Sequence, residues 1–128
     1  MDRQEFEGYV KEEFGAMPEY LFEGSPDCAV YRHASNRKWF CIIMNVPKRK
    51  LGIDSPCSVD IVNLKCSQEI IGDIVKEHGI FPAYHMNKNH WISVLLDGSV
   101  DGGTVRWLAK ISFGLTEKRV KTSPRKNS

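Results

Sequence analysis

The sequence predicts an α+β fold of two layers: a single antiparallel sheet with helices packed on it, in the order α-β-β-β-α-β-β-α. Three observations carry that expectation. Segments with a helical apolar period and segments with a strand period are each bounded by capping or turn residues. Strands follow one another mostly through short turns, so hairpins dominate and a doubly wound parallel sheet is disfavoured. At 128 residues, 41% hydrophobic and 27% charged, the chain holds enough apolar material for one core without staples.

The first helix is predicted over about residues 2–14, where Phe6, Tyr9, Val10 and Phe14 share one face. Asp2 is placed to cap it, Gly15 to stop it, and Pro18 to prevent its continuation. A loop containing Gly24 and Pro26 leads to strands over 28–33 and 38–46, joined by Ala34-Ser35-Asn36-Arg37. The second strand is nearly continuous in apolar residues from Trp39 to Met44, as a central strand should be. Pro47-Lys48-Arg49-Lys50 ends it in a basic turn, and a third strand is expected over 58–64. Ser67 is the expected cap of a second helix with Ile70, Ile71, Ile74 and Val75 inward and Gly79 closing it. A short strand over 80–85 then leads into the strand over 91–96, which stops at the turn Asp97-Gly98. Asp101 caps a third helix whose inner face is Val105, Leu108, Ser112 and Leu115. The organisation expected is one domain over 1–116, then a basic tail over 117–128 too poor in apolar residues to fold.

Charge is uneven along the chain. Residues 1–27 carry eight acids against Arg3 and Lys11, whereas residues 28–50 carry six bases and no acid. The overall balance is only +2, so the chain is no wholesale nucleic-acid coat; its cationic groups sit in one hairpin and the tail. The sequence has no membrane-length apolar run and no signal peptide at its start, which predicts a cytoplasmic protein. Cys28, Cys41, Cys57 and Cys66 form no Cys-x-x-Cys pair and are read as small packed thiols.

Two groups of residues are candidates for binding. Arg32, Arg37, Lys38, Lys48, Arg49 and Lys50 make a phosphate-binding footprint. With the first two strands paired, they divide between the two ends of a hairpin, and a strand of this length spans roughly 30 Å. The competing expectation is that these bases balance the acidic N-terminal region. Lys88, His90 and Trp91 offer a cation, an imidazole and a stacking ring at a strand entrance. The alternative there is a turn fixed by side-chain hydrogen bonds and a tryptophan that begins a core strand. His85 and His90 are five residues apart, which is not helical zinc spacing, and nucleophile-elbow, phosphate-loop and dinucleotide motifs are lacking. No catalytic activity, metal or cofactor is expected.

The run His85-Met86-Asn87-Lys88-Asn89-His90-Trp91, the turn Asp97-Gly98 and the helical Ser112-Phe113 resemble the signature of the MmcQ/YjbR-like family of small bacterial proteins. The family motif thus falls on His85, Asn87, Lys88, His90, Trp91, Asp97, Gly98 and Ser112, and the element order matches as well. The resemblance implies a fold like the double-wing DNA-binding domain of a phage transcription factor, and like secretion chaperones. It therefore implies DNA as the partner, held at its phosphates by the basic hairpin and the turn from Lys88 to Trp91. On that expectation binding falls steeply with salt and falls again when Lys48, Arg49 and Lys50 become alanine. A protein-interaction or chaperone-like module without nucleic-acid binding is the alternative; the chain is expected to be a monomer or weak homodimer.

Overall fold

The computed structural model describes residues 1–117. Three helices and five strands follow in the expected order: α1 (Arg3–Phe14), β1 (Ala29–Arg32), β2 (Trp39–Pro47), β3 (Ser58–Lys65), α2 (Gln68–Ile74), β4 (Ile80–Pro82), β5 (Trp91–Leu95) and α3 (Gly102–Thr116). The strands form one antiparallel sheet in the order β1-β2-β3-β5-β4. The fold is α+β, as the sequence predicts. The expected tail lies outside the described residues, none of whose helices is long and apolar enough to cross a membrane.

All three helices cover the same face of the sheet. Phe6 and Val10 of α1 and Val105, Leu108 and Ala109 of α3 join Tyr31, Ile43, Val62, Leu64, Ile92 and Val94 in one buried cluster. Alternation along the strands sends their other residues to a face that carries no helix. There Val46, Val59, Ile61 and Leu95 gather under Leu51, Ile53 and Tyr84. Beside them, Cys28, Val30 and Ile42 meet Trp39, Met86 and Trp91. Loops and one short 3-10 turn shelter this second face.

Local chemistry explains the element ends. Asp2 accepts from the Glu5 amide at 2.9 Å while the Glu5 carboxylate accepts from the Asp2 amide, so α1 starts in a complete capping box. Gly15 ends it at φ 64°, the left-handed region that glycine enters without strain. Four details differ from expectation. Ser67 precedes α2 but makes no side-chain cap hydrogen bond. That helix is only seven residues long and closes at Val75; Gly79, at φ 85°, instead leads into β4, where a Cβ would strike Val100. β4 ends at Pro82 and does not run to residue 85, because proline offers no amide to continue the ladder. On α3, Leu115 faces solvent, and Ala109 and Thr116 are buried beside Val105, Leu108 and Ser112.

Candidate nucleic-acid interface

The β1/β2 ladder is irregular: Tyr31 faces Cys41 but Arg32 faces Trp39, so Phe40 is an extra residue. Phe40 turns into the helix-side core, where it meets Phe14 and Phe113 edge-on. The defect also ends regular pairing of β2 with β3 at Cys41 and Leu64. Ser112 of α3 fills the gap. Its hydroxyl accepts from the Lys65 amide at 2.8 Å and donates to the Phe40 carbonyl, replacing a missing rung of the ladder. The motif serine is therefore a clamp between helix and sheet, and it fixes how Trp39 and Lys65 are presented.

On the opposite face the segment between β4 and β5 folds over the strands and is pinned from below. The Tyr84 amide donates to Ser93 Oγ at 2.9 Å, Ser93 Oγ donates to Asn63 Oδ1 at 2.5 Å, and Asn63 Nδ2 donates to the Tyr84 carbonyl at 2.9 Å. Asn63 and Ser93 are fully buried, and this closed ring satisfies them. Beyond it His85 adopts φ 59° and stacks on Tyr84, with ring centroids 3.9 Å apart. The Asn87 carbonyl accepts from the amides of His90 and Trp91, and its side chain accepts from the Asn89 amide. Lys88 Nζ donates to the Ala83 carbonyl at 3.0 Å, folding the lysine back on its own loop. Asn87 and Lys88 thus shape the turn, and His90 stands exposed at its exit.

The basic residues do not form one patch. Arg32 is gripped by Glu19 through two hydrogen bonds of 2.6 and 2.8 Å, and Arg37 lies 3.6 Å from the same carboxylate. The Arg32 hydrogen bond, with the charges of Arg32 and Arg37, holds the Glu19 carboxyl below its ordinary range. Arg37 remains 61% exposed and Lys38 is exposed, so both stay open to a further partner. Lys48, Arg49 and Lys50 lie in a 3-10 turn at the far end of β2. Burial pushes the nearby Asp97 carboxyl up, but hydrogen bonds from Ser99 and the charge of Lys48 outweigh it and hold the carboxyl low.

The register adds a residue that the charge pattern alone missed. Arg32 faces Trp39 across one strand pair, and Lys65 faces Trp91 across another, all on the helix-free face at the same end of the sheet. Cation and indole alternate there, with Arg37, Lys38 and His90 beside them. Period-two alternation through Val59, Ile61, Asn63 and Lys65 is the sequence signal that could have placed Lys65 on this face. Among the described residues there is no group of three or more His, Cys, Asp or Glu side chains able to hold a metal ion.

His33 ties the β1–β2 turn to the end of α3. Its Nε2 meets Thr116 Oγ1 at 2.8 Å, Thr116 donates to the Ser112 carbonyl, and Asn36 Nδ2 donates to the Thr116 carbonyl. Burial holds the His33 imidazole below its ordinary value, against the opposing pull of the Phe113 backbone and Glu117. A histidine pKa lowered by folding contributes stability that is complete above the unfolded value of about 6.5 and is lost as pH falls from there toward the folded value. The melting temperature is therefore expected to drop between pH 7 and pH 5, and His33→Gln to flatten that drop. An unchanged slope in the variant would show that another group carries it.

Comparisons with known proteins agree with this architecture. A crystal structure of a Pseudomonas syringae protein superposes with a TM-score of 0.90 at 42% identity, covering 91% of this chain and 100% of that one. A Deinococcus radiodurans protein, 24% identical over 84% of this chain and 72% of that one, shares the fold at a TM-score of 0.62. The uncharacterized protein YyaQ of Bacillus subtilis is 42% identical over 117 residues, which are 91% of this chain and 99% of YyaQ. The uncharacterized protein YjbR of Escherichia coli is 36% identical over 53 residues, 41% of this chain and 45% of that protein. A model of the YjbR family matches residues 14–115, and with the clamp serine and the pinned turn in place the chain belongs to that family.

Proposed function

We propose that the protein binds nucleic acid, DNA in the first instance, at the end of the helix-free sheet face where Arg32, Trp39, Lys65 and Trp91 alternate. The single observation in support is that cross-strand order, which places partly exposed cations between partly exposed indoles. Lysine and arginine neutralise phosphates, and indoles offer stacking surface to bases. Arg37, Lys38 and His90 extend the footprint around the same end. Lys48, Arg49 and Lys50 occupy the other end of β2 and contribute only on a ligand long enough to span the strand.

An NMR titration with a short mixed-sequence duplex at two salt concentrations tests this. Shifts are expected at 32–39, 65 and 87–91, vanishing at high salt. Lys38→Ala with Lys65→Ala should weaken binding roughly tenfold and lower the salt slope by about 2, whereas alanine at 48–50 should change a short-duplex titration little. Binding that ignores salt, or that depends mainly on 48–50, would reject the assignment. A protein-interaction reading draws on a different observation: Met17, Tyr20, Leu21 and Phe22 are exposed before β1. A stable dimer in light scattering with a silent DNA titration would favour it.

A further inference from the structure

Next to that row, the helix-free face holds a groove of about 880 Å³. Its floor is Trp39, Ile42 and Met44 of β2. One wall is the loop before β1, where Phe22 stands edge-on to Trp39 at 6.1 Å and is 43% exposed. The other wall is Met86 with the stacked pair of Tyr84 and His85. The volume falls in the range of roughly 300–1,000 Å³ typical of small-molecule sites. The Asn63–Ser93–Tyr84 ring anchors the second wall to the sheet, so this side of the cleft is pre-formed.

The charge of the lining is one-sided. Glu23 and Asp27 line the groove, and no lysine or arginine does. Neither carboxylate has a base within ion-pair distance among the described residues, although the Arg3 guanidinium donates to the Asp27 backbone carbonyl at 2.6 Å. A polyanion is disfavoured by such a rim, so this groove differs in charge from the cationic row, with which it shares Trp39. A peptide strand is disfavoured too, because β2 is hydrogen-bonded on both sides and offers no free edge for strand addition. What fits is a flat ring. Aromatic faces attract cations through their quadrupoles, and two methionines supply polarizable, adaptable contacts for a planar surface.

We propose that this groove is a binding site for a planar organic cation, an aromatic ring system carrying a permanent positive charge. The rings of Phe22, Trp39 and Tyr84 supply stacking and cation–π attraction, and Glu23 and Asp27 supply the complementary charge.

The test uses two dyes with the same xanthene core and opposite charge, rhodamine 6G and fluorescein, titrated into the full chain with fluorescence anisotropy as readout. Saturable binding of the rhodamine and at least tenfold weaker binding of fluorescein are expected. The double variant Glu23→Gln, Asp27→Asn should weaken rhodamine binding at least fivefold while its melting temperature stays that of the parent; both positions are exposed, so folding is not at stake. Phe22→Ala should weaken binding of the rhodamine as well. Equal affinity for the two dyes, an unaltered affinity in the charge-neutral double variant, or no saturable rhodamine binding would each overturn the proposal.

Discussion

Ser112→Ala is expected to destabilise the fold by about 3 kcal/mol, a fall in melting temperature on the order of 10 °C. The hydroxyl is fully buried and serves two backbone groups at once, the Lys65 amide and the Phe40 carbonyl. Removing it leaves a donor and an acceptor in the interior without partners, each costing about 1–3 kcal/mol, while helix propensity changes by only a few tenths in favour of alanine. Thr116→Ala removes a hydroxyl from the same helix but leaves the sheet intact, and should cost less. Denaturant unfolding of the two variants side by side checks the order. If the Ser112 variant loses under 1 kcal/mol, the two backbone groups have found each other or a water, and the clamp is dispensable.

The second large effect is expected at Asn63. Asn63→Ala opens the ring that holds the Tyr84 backbone and the Ser93 hydroxyl, at a cost of about 3 kcal/mol for buried groups left unpaired. Its signature is local as well as global. Hydrogen exchange at the Tyr84 amide should accelerate and the 83–90 segment should lose its fixed place on the sheet, weakening any ligand that needs Lys88, His90 or Met86. Asn63→Ala and Ser93→Ala share one ring, so the double variant should lose clearly less than the sum of the singles. Additive losses, or an unaltered Tyr84 exchange rate, would show that the loop is held by something else.

Much of this architecture was legible in the sequence, and the reasons are specific. Asp2 and Gly15 bracket α1 because capping chemistry is local. The strand of Trp91 announced itself through its apolar run and its Asp97-Gly98 stop. What escaped depended on groups far apart in the chain. The charge tally suggested that bases of 28–50 pair with acids of 1–27, but not that Glu19 is the acid that takes Arg32, thirteen residues away. Ser112 was recognisable as a motif residue, but its purpose rests on Phe40, seventy-two residues distant, being displaced from the ladder. Lys65 looked like an ordinary strand-end lysine until the register set it opposite Trp91. Leu115 was expected inward, but Thr116 takes that side of α3, and its hydroxyl meets the His33 imidazole.

The strand order has a consequence for how the chain reaches this state. β1, β2 and β3 form a meander whose pairings close quickly, and β4 with β5 forms a second hairpin. The two units meet only when β5 docks beside β3, a seam between residues 61–65 and 91–95 that must close over the whole of α2 and β4. Loop closure over that distance is slower than either hairpin, so mutations at this seam are expected to slow folding more than mutations in either hairpin. The seam's register is set by the buried Asn63–Ser93 pair, because a slip of β5 by one residue would drive Ser93 into the helix-side core and leave Asn63 without its partner. The same pair that holds the binding loop in the native state therefore acts earlier as the key by which two half-sheets recognise each other.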